Sequence, residues 1–175
     1  MISCIDSNDY NKGCCLYMEY TFTDFYRNKV ILSFKKQPFS KTPKHVWVIA
    51  RYNGKWLLTK HKSRGIEFPG GKVENGETAE QAAIREVMEE TGGVVHELHY
   101  IGQYFVSGKS GNIIKNVYFG EIDKLTEQEN YYETEGPVLL DDFPEDMKTN
   151  EQFSFMMKDE VLPRCLKKVK EKFNI

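Results

Sequence analysis

Cysteine is scarce in this chain of 175 residues, and none of it is spaced for metal binding. The four cysteines include one adjacent pair, Cys14 and Cys15, and no C-x-x-C motif, so neither a zinc site nor a disulfide framework is indicated. His96 and His99 are three residues apart in a strand-like stretch, where alternate side chains point to opposite faces and do not bind one ion together. We therefore interpret the cysteines as free thiols.

Long apolar runs and an excess of basic charge are also missing. No stretch approaches the roughly 20 apolar residues of a membrane-spanning helix, and the N-terminus lacks the hydrophobic segment of a secretory signal. The formal net charge is -2, and this value does not indicate the basic stripe that nucleic-acid-binding proteins usually carry. We expect a cytoplasmic protein with no membrane partner and no stable nucleic-acid complex.

The apolar patterning predicts one α/β domain. It begins near Met18, so residues 1–17 are predicted to be a flexible extension and residues 18–175 a single domain. Two helices are predicted, at 79–91 and from about 160 to 173, the second capped by Asp159. Asn53-Gly54 is a strong hairpin signal. Runs of β-branched and aromatic residues predict strands at 20–26, 30–34, 45–50, 55–59, 98–106 and 113–122.

The first predicted helix has clear start and stop signals. Thr78 followed by Gln81 forms a capping box, so the helix should begin at Ala79. Gly92 is the glycine that commonly follows a last helical turn. Turn-forming glycines at Gly70-Gly71 precede the helix and allow backbone to approach a ligand closely.

Three glutamates share one face of this helix. Glu86, Glu89 and Glu90 stand at i, i+3 and i+4, where like charges repel one another. A bound cation would offset that repulsion, and Mg²⁺ prefers such oxygen ligands. The helical period predicts that small residues lie on the same face as the glutamates, at Ala79, Ala82 and Ala83. It predicts that apolar side chains on the opposite face pack against the core, at Ile84, Val87 and Met88.

The whole segment from residue 71 to residue 93 resembles the signature of the Nudix hydrolases, G-x5-E-x7-R-E-U-x-E-E-x-G-U with U aliphatic. The single departure is Gly93 in the last aliphatic position. The matching residues are Gly71, Glu77, Arg85, Glu86, Val87, Glu89, Glu90 and Gly92.

This resemblance implies an α/β/α sandwich with a mixed central sheet. It also implies hydrolysis of nucleoside triphosphates to a monophosphate and pyrophosphate, with Mg²⁺ as the cofactor and Mn²⁺ as a substitute. Similarity to MutT-type enzymes makes purine nucleotides, including 8-oxo-dGTP, the leading candidate substrates. The expected partner is therefore the nucleotide itself, and the oligomeric state stays open.

The resemblance also assigns roles to individual residues. The Gly71 carbonyl would bind metal together with Glu86, Glu89 and Glu90, while Arg85 would orient those glutamates.

Glu77 would also orient the glutamates, by charge-assisted hydrogen bonds as for Arg85. Lys72 would contact phosphate, and Arg64 or His61 would either do the same or remain solvated loop cations.

Several glutamates are candidates for the general base. Glu86 is one candidate, and some relatives use a loop glutamate outside the signature. Glu133 and Glu135 lie late enough in the chain to serve in that way.

Two alternative functions use the same residues. One is removal of pyrophosphate from triphosphorylated RNA ends, and the other is a catalytically silent nucleotide-binding module, which would be expected to lose signature residues retained here. A P-loop kinase or ATPase is excluded by spacing, because Ile66 stands where the motif requires its first glycine and Val73 where it requires Ser or Thr.

Overall fold

The computed structural model describes residues 19–108 and 111–175 of the chain. Its helices and strands are β1 Glu19–Thr23, β2 Lys29–Ser33, β3 His45–Tyr52, β4 Lys55–His61, β5 Gly65–Glu67, α1 Ala79–Thr91, β6 Gly93–Gly108, β7 Gly111–Leu125, β8 Thr134–Leu140 and α2 Val161–Phe173, with a short 3₁₀ turn at Phe155–Met157. The predicted extension at 1–17, with Cys14 and Cys15, lies outside the described residues.

The strands form one mixed sheet in the order β1-β2-β6-β7-β3-β4-β5, with β8 paired to β4. The β3–β7 pair is parallel and the other pairs are antiparallel. Asn53 and Gly54 join β3 to β4 with positive φ angles of 48° and 80°, as their hairpin signal predicts. The mixed sheet expected from the sequence is therefore confirmed.

The two helices cover opposite faces of this sheet. Val46, Val48 and Ala50 of β3 pack in the cluster that includes α1, whereas Trp47 and Ile49 pack in the cluster that includes α2. Successive strand residues point to opposite faces, so this division gives three layers. The predicted α/β/α sandwich is confirmed.

Helix α1 has the predicted ends, and its buried face agrees with the prediction at Val87 but not at Ile84. The capping box is present, with Gln81 N–H donating to Thr78 Oγ1 at 3.2 Å. Ile84 was predicted to face the core and is instead 45% exposed, while Ala82 and Ala83 are fully buried. Alanines let the helix approach the sheet closely, so they serve packing and do not leave space for a ligand.

Two further predictions need correction. Glu135 was expected in a loop, but it lies in β8, which pairs with β4. This strand was not predicted because its residues show little apolar alternation. Helix α2 has Glu160 at its N-cap position, one residue later than predicted. Asp159 still accepts a hydrogen bond from Val161 N–H at 2.9 Å.

Neither α1 nor α2, the helices of the described ranges, is long and apolar enough to cross a membrane. Cys165 is a buried free thiol on α2, and burial raises its pKa. The expectation of a free thiol is confirmed for this cysteine.

Candidate active site

A cleft of about 590 Å³ brings together most of the residues singled out in the sequence. It lies where the segment between β5 and α1 meets the glutamate face of α1. Its walls are Arg64, Gly70, Gly71, Lys72, Glu74, Arg85, Glu86, Glu89, Glu90, Lys115, Tyr132, Glu133, Phe155 and Met156.

The three glutamates of α1 differ in burial. Glu90 is the deepest, with 6% of the residue exposed, and its Oε2 accepts a hydrogen bond from Gly70 N–H at 3.0 Å. The side chains of Glu86 and Glu89 are 14% and 35% exposed. Burial raises the pKa of Glu90 to about 8 and also raises the pKa of Glu86. The site therefore disfavours three uncompensated negative charges.

The oxygens of these glutamates suit a hard divalent cation. The Oε2 atom of Glu86 and the Oε1 atoms of Glu89 and Glu90 have no hydrogen-bond donor among the described residues. Among the described residues, no three acidic, histidine or cysteine side chains lie close enough together to hold a metal ion as they stand, so the fit rests on the chemistry of the oxygens. Carboxylate oxygens with free lone pairs are the donors Mg²⁺ selects, so the donor set fits this ion.

Arg85 holds the carboxylates in a charge-assisted network. Its guanidinium donates to both oxygens of Glu77 at 2.9 and 3.0 Å, to Glu86 Oε1 at 2.9 Å and to Glu89 Oε2 at 3.0 Å. It also donates to the Lys72 carbonyl at 2.9 Å. Glu77 does not line the cleft; it contacts the site through Arg85 and through the N–H of the cleft residue Glu74, which donates to Glu77 Oε2 at 3.0 Å.

The Gly71 backbone lies directly against the Glu86 side chain. A Cβ built on it would overlap the Glu86 carboxylate, so a side chain here would displace that glutamate. The Gly71 carbonyl accepts a hydrogen bond from Val46 N–H at 2.9 Å. A carbonyl oxygen has two lone pairs, and one remains for a metal ion.

The predicted cations are distributed unevenly around the cleft. Lys72 is exposed and lines it. Arg64 also lines it, and its guanidinium is anchored by the buried Glu67 at 2.6 Å. His61 was expected on a solvated loop or at phosphate, but it is only 8% exposed, and the cleft-lining residues do not include it.

His61 instead supports the turn beneath the cleft. Its Nδ1 accepts hydrogen bonds from Ser63 N–H at 3.1 Å and Arg64 N–H at 3.2 Å, which assigns the ring proton to Nε2. That nitrogen faces Glu133 Oε2 at 3.6 Å. Glu133 is 79% exposed and lines the cleft, while Glu135 pairs with Lys60 at 2.7 Å and does not line it.

Lys115 is a cleft residue that the sequence analysis did not single out. It is half-buried, its nearest polar contact is Met156 Sδ at 3.8 Å, and burial lowers its pKa to about 8. Alternation along β7 puts it on the face of Val117 and Phe119, which are buried. The sequence signal that could have identified Lys115 is a lysine on a strand face whose other residues are apolar.

Three uncharged cleft residues were also missed. Tyr132 is 60% exposed, and Phe155 and Met156 stand on the 3₁₀ turn. These residues come from segments far from the signature in sequence, and surface aromatics carry no distinctive spacing. No sequence signal marked them.

Comparison with known proteins identifies the family. The family model described as "NUDIX domain" matches residues 41–161. A Bacillus subtilis protein named "Putative 8-oxo-dGTP diphosphatase YtkD" is 60% identical over 152 residues, which are 87% of this chain and 96% of that protein. An "RNA pyrophosphohydrolase" of Baumannia cicadellinicola is 46% identical over 46 residues, 26% of this chain and 29% of that protein.

A solved structure extends the agreement to the fold. The crystal structure of a mutant of the Bacillus subtilis pyrophosphohydrolase BsRppH superposes with a TM-score of 0.87 at 59% identity, covering 87% of this chain and 97% of that one. The matching family model, the YtkD relative and the BsRppH structure show that the chain belongs to the Nudix hydrolase family.

Proposed function

We propose that the protein is a magnesium-dependent pyrophosphohydrolase that converts a nucleoside triphosphate and water into a nucleoside monophosphate and pyrophosphate. The observation that carries this proposal is the set of free carboxylate oxygens on Glu86, Glu89 and Glu90, which share one cleft with Lys72 and Lys115. A triphosphate needs both kinds of group, because its oxygens bind a metal ion and ammonium donors together. The YtkD relative carries a name of the same reaction class.

The proposed metal ligands are Glu86, Glu89, Glu90 and the Gly71 carbonyl. Bound Mg²⁺, or Mn²⁺ in its place, would neutralise phosphate oxygens and lower the pKa of a coordinated water. Arg85 keeps the Glu86 and Glu89 carboxylates oriented through the hydrogen bonds described above.

Other residues act on the substrate directly. Lys72 binds phosphate oxygens at the exposed edge of the cleft, and Arg64 and Lys115 bind them from its walls. Glu133 accepts the proton of the attacking water, a role supported by its position on the cleft and by the Nε2–H of His61 beside it.

The nucleoside would occupy a second cavity of about 560 Å³ that adjoins the cleft. The two cavities share Lys115, Phe155 and Met156. The ring of Tyr26 lies 5.0 Å from that of Phe155, and aromatic faces of this kind stack on bases. Purine triphosphates, 8-oxo-dGTP among them, are the proposed substrates.

A second candidate function is removal of pyrophosphate from triphosphorylated RNA ends. It is favoured by the exposed Lys41 and Lys44, on the segment that leads into β3 beside Lys72. The match to an RNA pyrophosphohydrolase points the same way over a short stretch. Both candidate substrates belong to the cytoplasm, where we propose the protein acts.

A turnover panel tests the proposal. Protein and Mg²⁺ are incubated with dGTP, 8-oxo-dGTP, GTP, ATP, ADP-ribose and 5′-triphosphorylated RNA, and the products are separated by ion exchange. Monophosphate plus pyrophosphate from free nucleotides supports the main proposal, and turnover of RNA alone supports the second candidate. Diphosphate plus phosphate, or no turnover of any compound, contradicts both.

The proposed base is tested by a matched pair of variants in the same assay. Glu133→Gln should lower kcat by about 10²–10⁴ if the side chain takes the proton. Glu135→Gln, which removes an exposed carboxylate held by Lys60, should leave kcat unchanged. If Glu133→Gln and Glu135→Gln had the same kcat, Glu86 would be the remaining candidate for the general base.

A further inference from the structure

The segment between β2 and β3, residues 34–44, is strongly basic. It contains four lysines and no acidic residue, in a chain whose net charge is -2. Lys36, Lys41 and Lys44 are exposed, and none of these three forms an ion pair with another described residue. We call this segment the lysine loop.

A buried amide fixes the backbone of the lysine loop. Gln103 is fully buried, and its Oε1 accepts hydrogen bonds from Phe39 N–H at 2.8 Å and Ser40 N–H at 2.9 Å. Its Nε2 donates to the Ser40 carbonyl at 2.9 Å. A buried amide is costly unless its hydrogen bonds are made, so this side chain specifies one conformation of the loop.

The same network reaches the catalytic helix. Gln103 Nε2 donates to Asn116 Oδ1 at 2.8 Å, and Asn116 Nδ2 donates to the Tyr118 hydroxyl at 2.9 Å. Tyr118 donates in turn to Glu80 on α1 at 3.1 Å. A satisfied buried network of this kind rigidifies what it joins, so the lysine loop has a fixed position relative to the helix that carries the glutamates.

The C-terminal end of the lysine loop adjoins the cleft. Val73 N–H donates to the Lys44 carbonyl at 3.0 Å, and His45 forms a β-bridge with Lys72. Lys72 lines the cleft, whereas Lys36, Lys41 and Lys44 do not. Lys44, with Lys41 three residues before it, therefore extends the basic edge of the cleft, while Lys36 lines a separate cavity beside Lys168 and Lys172 of α2.

We infer that the lysine loop binds the sugar-phosphate backbone of a single-stranded RNA whose 5′ end occupies the cleft. This inference rests on the proposed pyrophosphohydrolase function. A free nucleotide ends inside the two cavities and has no phosphate to reach the loop, whereas each further nucleotide of an RNA adds one phosphate. Triphosphates at a 5′ end are a feature of newly made RNA, so RNA is the polynucleotide that fits both surfaces.

Binding of a product-like RNA tests the inference without turnover. A fluorescent 5′-monophosphorylated RNA decanucleotide is titrated with protein in Mg²⁺ at several salt concentrations, and anisotropy gives the association constant. The variants are Lys36→Gln/Lys41→Gln/Lys44→Gln and a control triple of the same charge. The control is Lys55→Gln/Lys124→Gln/Lys148→Gln.

Lys55, at the start of β4, and Lys124, near the end of β7, lie at the end of the β3–β7 register opposite His45. Each phosphate contact to a single strand contributes about 0.7 to the slope of log K against log salt. The loop variant should therefore have a slope shallower by about 2, from its three lysines, and the control should keep the wild-type slope. The kcat/KM for GTP should be unchanged in both.

Two results would overturn the inference. One is a loop variant with the wild-type slope, and the other is an equal loss of slope in the control, which would reduce the effect to overall charge. Failure of the proposed function would be seen separately, as wild-type protein that releases no pyrophosphate from any triphosphate. RNA binding is measured on a monophosphorylated strand, so the two failures are distinguishable.

Discussion

Replacing Arg85 with glutamine should destabilise the protein in a way that depends on pH. The guanidinium makes four hydrogen bonds to carboxylates, and the side chains of Glu77 and Glu86 are only 15% and 14% exposed. A hydrogen bond to a charged group contributes about 1.5–3 kcal/mol. The carboxylates regain some hydration when Arg85 is lost, so the contributions are not additive, and we expect a loss of about 2–3 kcal/mol.

The pH dependence follows from Glu77. Hydrogen bonds from Arg85 hold the pKa of Glu77 below its ordinary value of 4.5. A lowered pKa stabilises the folded state above the unfolded-state value, and the benefit is lost as the pH falls through the folded-state pKa. The difference between wild type and Arg85→Gln should therefore be full at neutral pH and shrink below about pH 4.5.

Urea denaturation followed by tryptophan fluorescence measures this difference, since Trp47 and Trp56 are buried. At neutral pH the midpoint should fall by roughly 1 M. Arg27→Gln is the control, because Arg27 is exposed and its guanidinium forms no hydrogen bond or ion pair with another described residue. A loss under about 0.5 kcal/mol in Arg85→Gln, or a loss that does not narrow in acid, would refute the reasoning.

Three further changes test other parts of the structure. Thr78→Ala removes the N-cap oxygen of α1 and should cost about 1 kcal/mol in urea denaturation; an unchanged midpoint would contradict the capping box. Gly71→Ala should displace the Glu86 carboxylate and lower Mg²⁺-dependent kcat by about 10². Gly76→Ala, at a positive φ of 85° with open space around it, should lose stability only, and equal kinetics in the two variants would contradict the overlap. Burial raises the pKa of Asp159 from 3.8 to about 6, so its ionised form destabilises the fold as the pH rises through 6. Asp159→Asn should then stabilise the protein at pH 8 by at most about 3 kcal/mol and lose that gain toward pH 4, and a gain that persists in acid would refute this reading.

The parts of the site that were predictable are local in sequence. Thr78, Gln81 and Gly92 determine the ends of α1 through contacts within a few residues. The i, i+3, i+4 spacing of Glu86, Glu89 and Glu90 follows from helix geometry alone. Because the length of the signature is itself specific, the family also followed from one segment of the chain.

The parts that were not predictable depend on tertiary packing. Periodicity put Ile84 toward the core, but the helix approaches the sheet through Ala82 and Ala83 because small side chains allow close contact. β8 was missed because its pairing with β4 is visible only in three dimensions. Lys115 reaches the site from β7, and no sequence pattern around it indicates that it lies near the glutamates of α1.

His61 illustrates a related limit. Its position before Arg64 suggested a cation near phosphate, yet two backbone N–H groups hold its Nδ1 and the ring is buried. Histidines that organise a turn and histidines that bind substrate have the same appearance in a sequence. Hydrogen-bond geometry is what separates them.

The central claim is that the glutamate face of α1 drives pyrophosphate release. The most direct measurement is pyrophosphate formation from GTP as Mg²⁺ is titrated, for wild type, Glu86→Gln and the exposed control Glu129→Gln. Wild type and control should release monophosphate and pyrophosphate, and kcat should be lowered about 10²-fold or more in Glu86→Gln. Equal turnover in all three proteins, or inorganic phosphate as the released product, would contradict it.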